Sequence, residues 1–417
     1  MSNLYKEGQD RHEVGFFPAT LEDIIAKDNP VRAIDAYVES INMGTLGFTK
    51  TNLSNPCGQP AYHPKLLLKV YIYGYLNKIR SSRKLETEIK RNIEMMWLCQ
   101  GLQPTYKTIA DFRKDNPKPL QEIFKIFVLL CKELGFIEGK TIAVDGAFLR
   151  ANASKNRLLT KKILERDIKK IETQIKKYLE NLAIEDTNNE QLQAMLEKKT
   201  IKKNDLEILN KMGENQYNRT DPDAKLMIKP SHNLMAYNCQ IAVDSAYKFI
   251  VSTQVSSQGN DFGIMHDIAV TTNAALNINP TYLMDSGYYS HQEVAKCEAD
   301  KIPVYVSIPK KQNRAKKQGY FIQNEFTYNE PADHFICPNN QILPKTNSYN
   351  IKSNGGKNYF YRASSTTCKN CSIRDKCIPE NTKYKQLGVS EYFSVVQTHR
   401  EKMETEKAKE YITANAF

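Results

Sequence analysis

Apolar residues in the first third of the chain recur at helical spacing. Residues 63–79 are apolar on nearly every face and begin near Pro64, which predicts a buried helix. Residues 82–102 predict a single amphipathic helix, because apolar side chains recur there at intervals of four: Leu85, Ile89, Ile93 and Trp97. A short basic helix is predicted before Pro117. This succession suits either plain helix packing or a helix-turn-helix in a DNA groove.

The centre of the chain alternates strand and helix patterns. Strands are predicted at 137–152 and 301–309, two more in hairpin-like succession at 233–257, and a short one within 280–290 that ends in Asp285. Helices are predicted at 261–276 and 291–300. Strands and helices in this order predict an α/β fold with a mixed sheet and helices against its faces.

A long charged segment separates the first of these strands from the second. Within residues 158–212, apolar residues alternate spacings of four and three: Leu164, Ile168, Ile171, Ile175, Tyr178 and Leu182. The pattern stops at residues 183–191 and resumes at Leu192. It predicts an antiparallel helical hairpin inserted into the domain. Its lysine-rich face suits either solvent or DNA.

Two aspartates share a position in this pattern. Asp145 and Asp285 each follow an apolar strand, and a glycine follows each within two residues. One interpretation is that both are ordinary turn acids, because Asp-Gly is a common turn dipeptide. The other is that they end neighbouring strands about 4.8 Å apart. Two carboxylates that close repel unless a cation lies between them, and Mg²⁺ or Mn²⁺ prefers oxygen ligands.

Charge indicates a polyanionic partner. The 59 Lys and Arg against 47 Asp and Glu give a net charge of +12 and a pI near 9.0. An excess of this size is typical of nucleic-acid-binding proteins, although many basic proteins bind none. No apolar run reaches the roughly 20 residues of a membrane helix, and the N-terminus has no signal-peptide pattern. A cytoplasmic protein without membrane partners is therefore expected, and its cysteines are not expected to form disulfides.

Four of the nine cysteines fall in one segment, and they are Cys337, Cys368, Cys371 and Cys377. Four thiolates with one Cys-x-x-Cys pair suit a tetrahedral structural zinc holding a small, loop-rich stretch together. A reduced, metal-free cluster is the alternative. The other five are scattered and are predicted to be small core residues: Cys57, Cys99, Cys131, Cys239 and Cys297.

Several motifs together resemble a bacterial insertion-sequence transposase of the DDE class, in the IS4/IS5 assemblage and nearest the IS eleven-eighty-two group. The N-terminal region resembles an InsH-type transposase domain in "YHP" (62–64), "SSRKLETEI" (81–89) and "PTYKTIADFRKDN" (104–116). The segment "VDGAFLRANASKNR" (144–157) resembles the family's first catalytic aspartate motif, and "LMDSGYYS" (283–290) resembles the second. "TDPDA" (220–224) and "YNCQIAVD" (237–244) resemble the segments between them. The order is collinear over nearly the whole chain.

This resemblance implies an RNase H-like catalytic domain that cleaves and joins DNA strands with Mg²⁺ or Mn²⁺. Asp145 and Asp285 would be its metal ligands. The partners implied are the terminal repeats of the element and further copies of the chain, as a homo-oligomer on DNA. The four clustered cysteines resemble a cysteine-bearing insertion that precedes the last catalytic element. A non-catalytic DNA-binding remnant and an RNase H-like nuclease of another role are the alternative functions.

The third acid of the family is expected on a helix after the cysteines, beyond a tyrosine that resembles Tyr411. No glutamate follows Tyr411, and Glu404, Glu406 and Glu410 are predicted to be solvated helix acids. We therefore expect a chain truncated at its C-terminus, which binds transposon ends and cleaves them little. The predicted domains are a helical N-terminal domain (1–135), an RNase H-like core (136–157 and 213–310), a helical-hairpin insertion (158–212), a zinc-ribbon-like insertion (311–390) and the start of a C-terminal helix (391–417).

Overall fold

The structure is a computed structural model, and the residues that it describes fall in two compact units. They are residues 20–49, 60–182, 189–228, 233–256, 258–309, 317–352 and 356–414. The units are Met1–Phe127 and Val128–Phe417. Among these residues, no helix is both long enough and apolar enough to span a bilayer.

The first unit is helical, as its sequence pattern predicts. Its helices are α1 (Leu21–Ile24), α2 (Pro30–Ser40), α3 (Pro64–Leu76), α4 (Ser82–Arg91), α5 (Ile93–Leu98), α6 (Tyr106–Asp115) and α7 (Pro117–Glu133), the last of which continues into the second unit. Val38 of α2, Val70 of α3, Met95 of α5 and Ile109 of α6 are fully buried in one core. The predicted burial of α3 is confirmed, since nine of its residues are buried.

The single helix predicted over 82–102 is wrong, because Asn92 divides it into α4 and α5. Asn92 has an extended backbone, with φ −99° and ψ 120°. Its side-chain oxygen accepts hydrogen bonds from the backbone N–H groups of Glu94 (2.9 Å) and Met95 (3.5 Å). Asparagine is a favoured N-cap residue, and here it starts a second helix without disturbing the apolar spacing. Periodicity alone does not reveal such a break.

The second unit contains the remaining helices and all thirteen described strands. The strands are β1 (Thr141–Arg150), β2 (Leu158–Thr160), β3 (Gln216–Asn218), β4 (Lys225–Ile228), β5 (Asn233–Asp244), β6 (Ile250–Ser256), β7 (Thr281–Met284), β8 (Val304–Val306), β9 (Thr327–Asn329), β10 (His334–Ile336), β11 (Ile342–Ile351), β12 (Lys357–Arg362) and β13 (Gln386–Ser390). The helices are α8 (Lys161–Leu182), α9 (Asn189–Lys211), α10 (Met265–Leu276), α11 (His291–Ala299), α12 (Ser365–Lys369), α13 (Phe393–Glu404) and α14 (Glu406–Ala414).

The central sheet is mixed, as predicted. Its order is β4-β5-β1-β7-β8, and β6 pairs with β5. β5 is antiparallel to β1, β4 and β6, whereas β7 runs parallel to both β1 and β8. Ile142, Ala143 and Val144 of β1 are all buried, which is expected of a central strand covered on both faces. The helical first unit and this sheet confirm the coarse α/β prediction.

Two sequence predictions about this sheet are wrong in detail. Asp145 does not end its strand, because β1 stays paired with β5 as far as Arg150, and only its parallel neighbour β7 stops at Met284. The helix predicted from 261 begins at Met265. Asp261 consequently lies in the turn between β6 and α10, a position that apolar periodicity cannot separate from the helix.

Helices α8 and α9 form an antiparallel pair. Lys199 and Lys202 of α9 form ion pairs with Glu172 (3.0 Å) and Asp167 (2.9 Å) of α8 respectively. Residue numbers along α9 therefore increase as those of the facing residues on α8 decrease, as expected of antiparallel helices. The short sheet β2-β3 lies at the base of the pair.

A second, antiparallel sheet carries the clustered cysteines. Its order is β13-β12-β11-β10-β9, and its core consists of Phe326, Phe335, Leu343, Tyr361, Ala363, Leu387 and Val389. The predicted loop-rich stretch is wrong here, because this apolar core is large enough to order five strands. Of the scattered cysteines, Cys99, Cys131 and Cys297 are buried and Cys239 is half-buried. Cys57 lies outside the described residues.

Candidate active site

The two predicted aspartates stand side by side in the central sheet. Val144 of β1 pairs with Met284, the last residue of β7, and Asp145 and Asp285 are the next residues along the chain. Neighbouring strands lie about 4.8 Å apart. Both aspartates are exposed, whereas Val144 and Met284 are buried. The two carboxyl groups therefore leave the core together, where β7 ends.

Each carboxylate is turned towards a nearby glycine. The backbone N–H of Gly146 donates to Oδ1 of Asp145 (2.8 Å). The backbone N–H of Gly287 donates to Oδ1 of Asp285 (2.9 Å). One oxygen of each aspartate is thus bound locally. A cation bound between them would compete with these two N–H donors.

A third carboxylate, that of Asp261, lies in the same region. Its Oδ1 accepts hydrogen bonds from Nδ2 of Asn238 (3.0 Å) and Nε2 of Gln240 (2.7 Å). Asn238 and Gln240 are fully buried residues of β5, and their side chains share one face because they are two positions apart. The hydroxyl of buried Tyr288 donates to Oε1 of Gln240.

The glycines beside the two predicted aspartates make room for these carboxylates. A Cβ at Gly146 would lie 2.6 Å from Oδ1 of Asp261 and 2.9 Å from Nε2 of Gln240. A Cβ at Gly287 would lie 3.0 Å from Oδ1 of Asp285 and 3.6 Å from Oδ2 of Asp261. Any side chain at Gly146 would therefore collide with the acid group of Asp261.

Tyr288 is close to all three acids. Burial raises the pKa of its hydroxyl, and the negative charges of Asp261, Asp145 and Asp285 raise that pKa further. The tyrosine consequently stays protonated at neutral pH and can keep donating to Gln240. Neither Tyr288 nor the pair Asn238 and Gln240 was predicted from the sequence to belong to the site. The available signal was the two amides at alternate positions in an otherwise apolar strand.

A basic groove opens further along β1. Its volume is about 1200 Å³, and its lining includes Arg150, Lys155, Arg157 and Thr220. Arg150 is five residues beyond Asp145, which corresponds to roughly 17 Å along a strand. The positive side chains of the groove can take phosphate groups.

The clustered cysteines lie in the connections of the second sheet, Cys337 between β10 and β11 and the other three between β12 and β13. Backbone N–H groups of Gln341 and Lys385 donate to the sulfurs of Cys337 (3.3 Å) and Cys368 (3.4 Å), and Nδ2 of Asn339 donates to Sγ of Cys371 (3.4 Å). Burial raises the pKa of Cys377, and the nearby thiols of the other three cysteines raise it further. The positive charge of Lys385 acts in the opposite direction. The four cysteines are therefore neighbours.

Neither group is assembled as a metal-binding cage. Within the described ranges, no three Asp, Glu, His or Cys side chains lie close enough together to hold one ion as they stand. The metal sites at the aspartates and at the cysteines both stay predictions. Glu404, Glu406 and Glu410 are exposed on α13 and α14.

Two protein-family models match the chain. Residues 19–115 match the transposase domain DUF772, and residues 211–413 match the transposase DDE domain. Asp261 and Asp285 fall inside the second match, whereas Asp145 lies between the two matched ranges. No curated protein matches the chain.

Proposed function

We propose that this chain, which belongs to the transposases of the DDE class, cuts and joins DNA at the ends of an insertion sequence. Asp145 and Asp285 hold the divalent cations that this reaction uses. The observation that carries this proposal is their register. They follow residues that pair on neighbouring parallel strands, and both are exposed where one strand stops. The DDE domain itself implies the use of a divalent metal.

The residues present suit such an ion. Carboxylate oxygens are the ligands that Mg²⁺ and Mn²⁺ prefer, and two carboxylates on adjacent strands need a cation to offset their repulsion. When bound, the ion would activate a nucleophile and stabilise the charge that develops on the leaving oxygen. Asp145 and Asp285 would orient it, and the mixed order of the sheet supports an RNase H-like catalytic core.

The basic groove supports the DNA substrate. Arg150, Lys155 and Arg157 can neutralise backbone phosphates without reading sequence, which positions a duplex and leaves its identity to other contacts. We infer that the terminal DNA passes along this groove towards the aspartates. The match to a transposase domain at 19–115 is consistent with a second DNA contact there, and assembly of several copies on paired ends would follow from joining two ends.

Cleavage of DNA that carries the element's own ends tests this function. We expect Asp145→Asn and Asp285→Asn to lower Mg²⁺-dependent cleavage by on the order of 10² to 10³. Asp267→Asn is the matched control, because this aspartate is 62% exposed on α10. Cleavage that survives both substitutions would refute the assigned ligands. A chain that binds the ends without cutting them would instead be the non-catalytic DNA-binding protein that the sequence also allows.

We further propose that Cys337, Cys368, Cys371 and Cys377 bind a structural zinc. Their support is the three N–H···S hydrogen bonds and their common neighbourhood around Cys377. Metal analysis of the purified chain should find one zinc, which Cys371→Ser removes and Cys297→Ser retains, since Cys297 is a buried cysteine of α11 outside this group. If the wild-type chain contains no zinc and its four clustered thiols are readily alkylated, the cluster is metal-free.

A further inference from the structure

Helix α9 carries apolar side chains on two faces. On the inner face, Leu209 is fully buried and packs in one cluster with Leu164 of α8. On another face, Ile201, Ile208 and Met212 are 53%, 42% and 41% exposed. Ile201 and Ile208 are two helical turns apart, and Met212 follows one turn later, where its backbone N–H donates to the carbonyl oxygen of Ile208 (3.0 Å). These three side chains form one row, which we call the outer stripe.

The outer stripe is turned away from α8. Ile201 directly precedes Lys202, which pairs with Asp167 of α8. Ile208 directly precedes Leu209, which is buried against α8. One residue turns an α-helix by about 100°. The contacts that hold the hairpin together therefore leave the stripe uncovered, whereas a helix that faced only α8 and water would need apolar residues on one face alone.

Two charged residues mark one edge of the outer stripe. Glu197 lies four residues before Ile201. Lys211 lies three residues after Ile208. Helical spacing places both charges on the same edge, with Asn204 between them. Both side chains are exposed, and neither has an ion-pair partner among the residues that the structure describes. The edge is therefore acidic towards one end and basic towards the other.

An edge of this kind is complementary to a reversed copy of itself. If a second α9 lies antiparallel on the first, Glu197 of each copy meets Lys211 of the other. In the same arrangement, Ile201 of each copy packs on Ile208 of the other. A parallel second copy would place like charges together, which disfavours it. The antiparallel arrangement has a two-fold axis, which is the symmetry of most homodimers.

We propose that the outer stripe is the site at which a second copy of this chain docks, with the two α9 helices antiparallel and a two-fold axis near Asn204. The proposal rests on the function proposed above only for its purpose, because joining two DNA ends calls for several copies. The stripe is small beside the roughly 1,600 Å² of a stable interface, and we therefore expect a reversible dimer that forms at about 10 to 100 μM. Two DNA ends held together would raise the effective concentration and strengthen the pairing.

Sedimentation equilibrium of the full chain without DNA tests this docking. The wild-type chain should pass from monomer to dimer over that range of concentration. Ile201→Glu should weaken the dimer at least about tenfold, because it places a charge at the centre of the contact. Leu196→Glu is the matched control and should dimerise as the wild type does, since Leu196 is 45% exposed on the same helix but is turned about 140° from Ile201. Unchanged melting temperatures verify that both variants fold.

Exchange of the two edge charges tests the direction of the helices. Glu197→Lys and Lys211→Glu each bring like charges together, and each should weaken the dimer about two- to fivefold. The double variant Glu197→Lys/Lys211→Glu restores opposite charges and should recover the wild-type dissociation constant. An effect of net charge alone would weaken the dimer in one single variant and strengthen it in the other.

The outcomes separate this docking from the proposed function. A chain that stays monomeric at about 100 μM, or a dimer that survives Ile201→Glu, would overturn the docking site. Failure of the double variant to recover would overturn the antiparallel arrangement. A chain that dimerises as expected and cuts no DNA refutes the proposed function alone, whereas a chain that cuts DNA and does not dimerise refutes this docking alone.

Discussion

At the scale of single residues, the site depends on two positions that lack a side chain. Gly146 pairs with Gln240 across β1 and β5, so that any side chain at 146 would point to the face that carries the amide of Gln240 and the acid of Asp261. Neither of these groups can move freely, since Gln240 is fully buried and Asp261 accepts two hydrogen bonds. The requirement for glycine here is spatial.

We predict that Gly146→Ala destabilises the second unit by about 1 to 3 kcal/mol, the usual cost of forcing extra atoms into a packed site. The new Cβ would stand 2.6 Å from Oδ1 of Asp261. Gly259→Ala is the matched control, because the nearest atom to a Cβ there is 3.6 Å away. Urea unfolding of both variants measures the difference. Equal stabilities would mean that Asp261 moves aside at little cost.

At the scale of elements, α13 is tied to the edge of the central sheet through a buried histidine. The ring of His399 is 5% exposed, and its Nε2–H donates to the carbonyl oxygen of Val306 at the end of β8 (3.1 Å). Tyr289 lies beside the ring, at 6.3 Å between centroids. Burial lowers the pKa of His399, and the positive charge of Lys402 lowers it further. The hydrogen bond to Val306 and the negative charge of Glu298 act in the opposite direction, and the net result is a lowered pKa.

This lowered pKa predicts acid sensitivity. In the unfolded chain the imidazole takes up a proton below about pH 6.5, whereas in the folded chain it stays neutral to a lower pH. The unfolded state therefore binds more protons in that range, and stability is lost as the pH falls below about 6.5. We expect His399→Gln, which can still donate to Val306, to lose less melting temperature than the wild type between pH 7.5 and 5.5.

His334→Gln is the control for this pH effect, because His334 lies on β10 in the other sheet and is only half-buried. Its pH dependence should match that of the wild type. If His399→Gln also keeps the full wild-type loss, the buried imidazole is not the group responsible.

At the scale of the whole molecule, a net charge of +12 favours DNA as a partner, and the groove beside β1 is where we propose that the DNA binds. We predict that replacing Arg150, Lys155 and Arg157 together by alanine weakens DNA binding. The slope of log affinity against log salt should fall by roughly one for each phosphate that the variant no longer neutralises. Binding isotherms at several salt concentrations measure both quantities.

An equal loss of charge elsewhere is the control. Lys169, Lys170 and Lys177 are exposed on α8, and their joint replacement by alanine removes the same three charges. This second variant should keep most of the wild-type affinity and salt slope. The reverse result would place the DNA on the helical pair and not in the groove.

The sequence by itself determined the elements and the two strand-borne aspartates. Apolar spacing predicted α3 and the strands of the central sheet, because burial of one face leaves a local period. Asp145 and Asp285 were found because each directly follows a run of apolar residues that the structure buries. The break at Asn92 was missed because a cap residue changes the backbone without changing the apolar period.

Only the tertiary structure decided which distant residues join those aspartates. Asp261 was hidden at the apparent start of a helix, and it reaches Gly146 because β6 pairs with β5 and β5 pairs with β1. Asn238 and Gln240 are polar residues in a buried strand, and the sequence does not say what their amides bind. Strand order and register are set by long-range pairing and by packing of the whole sheet, so no local pattern encodes this meeting of side chains.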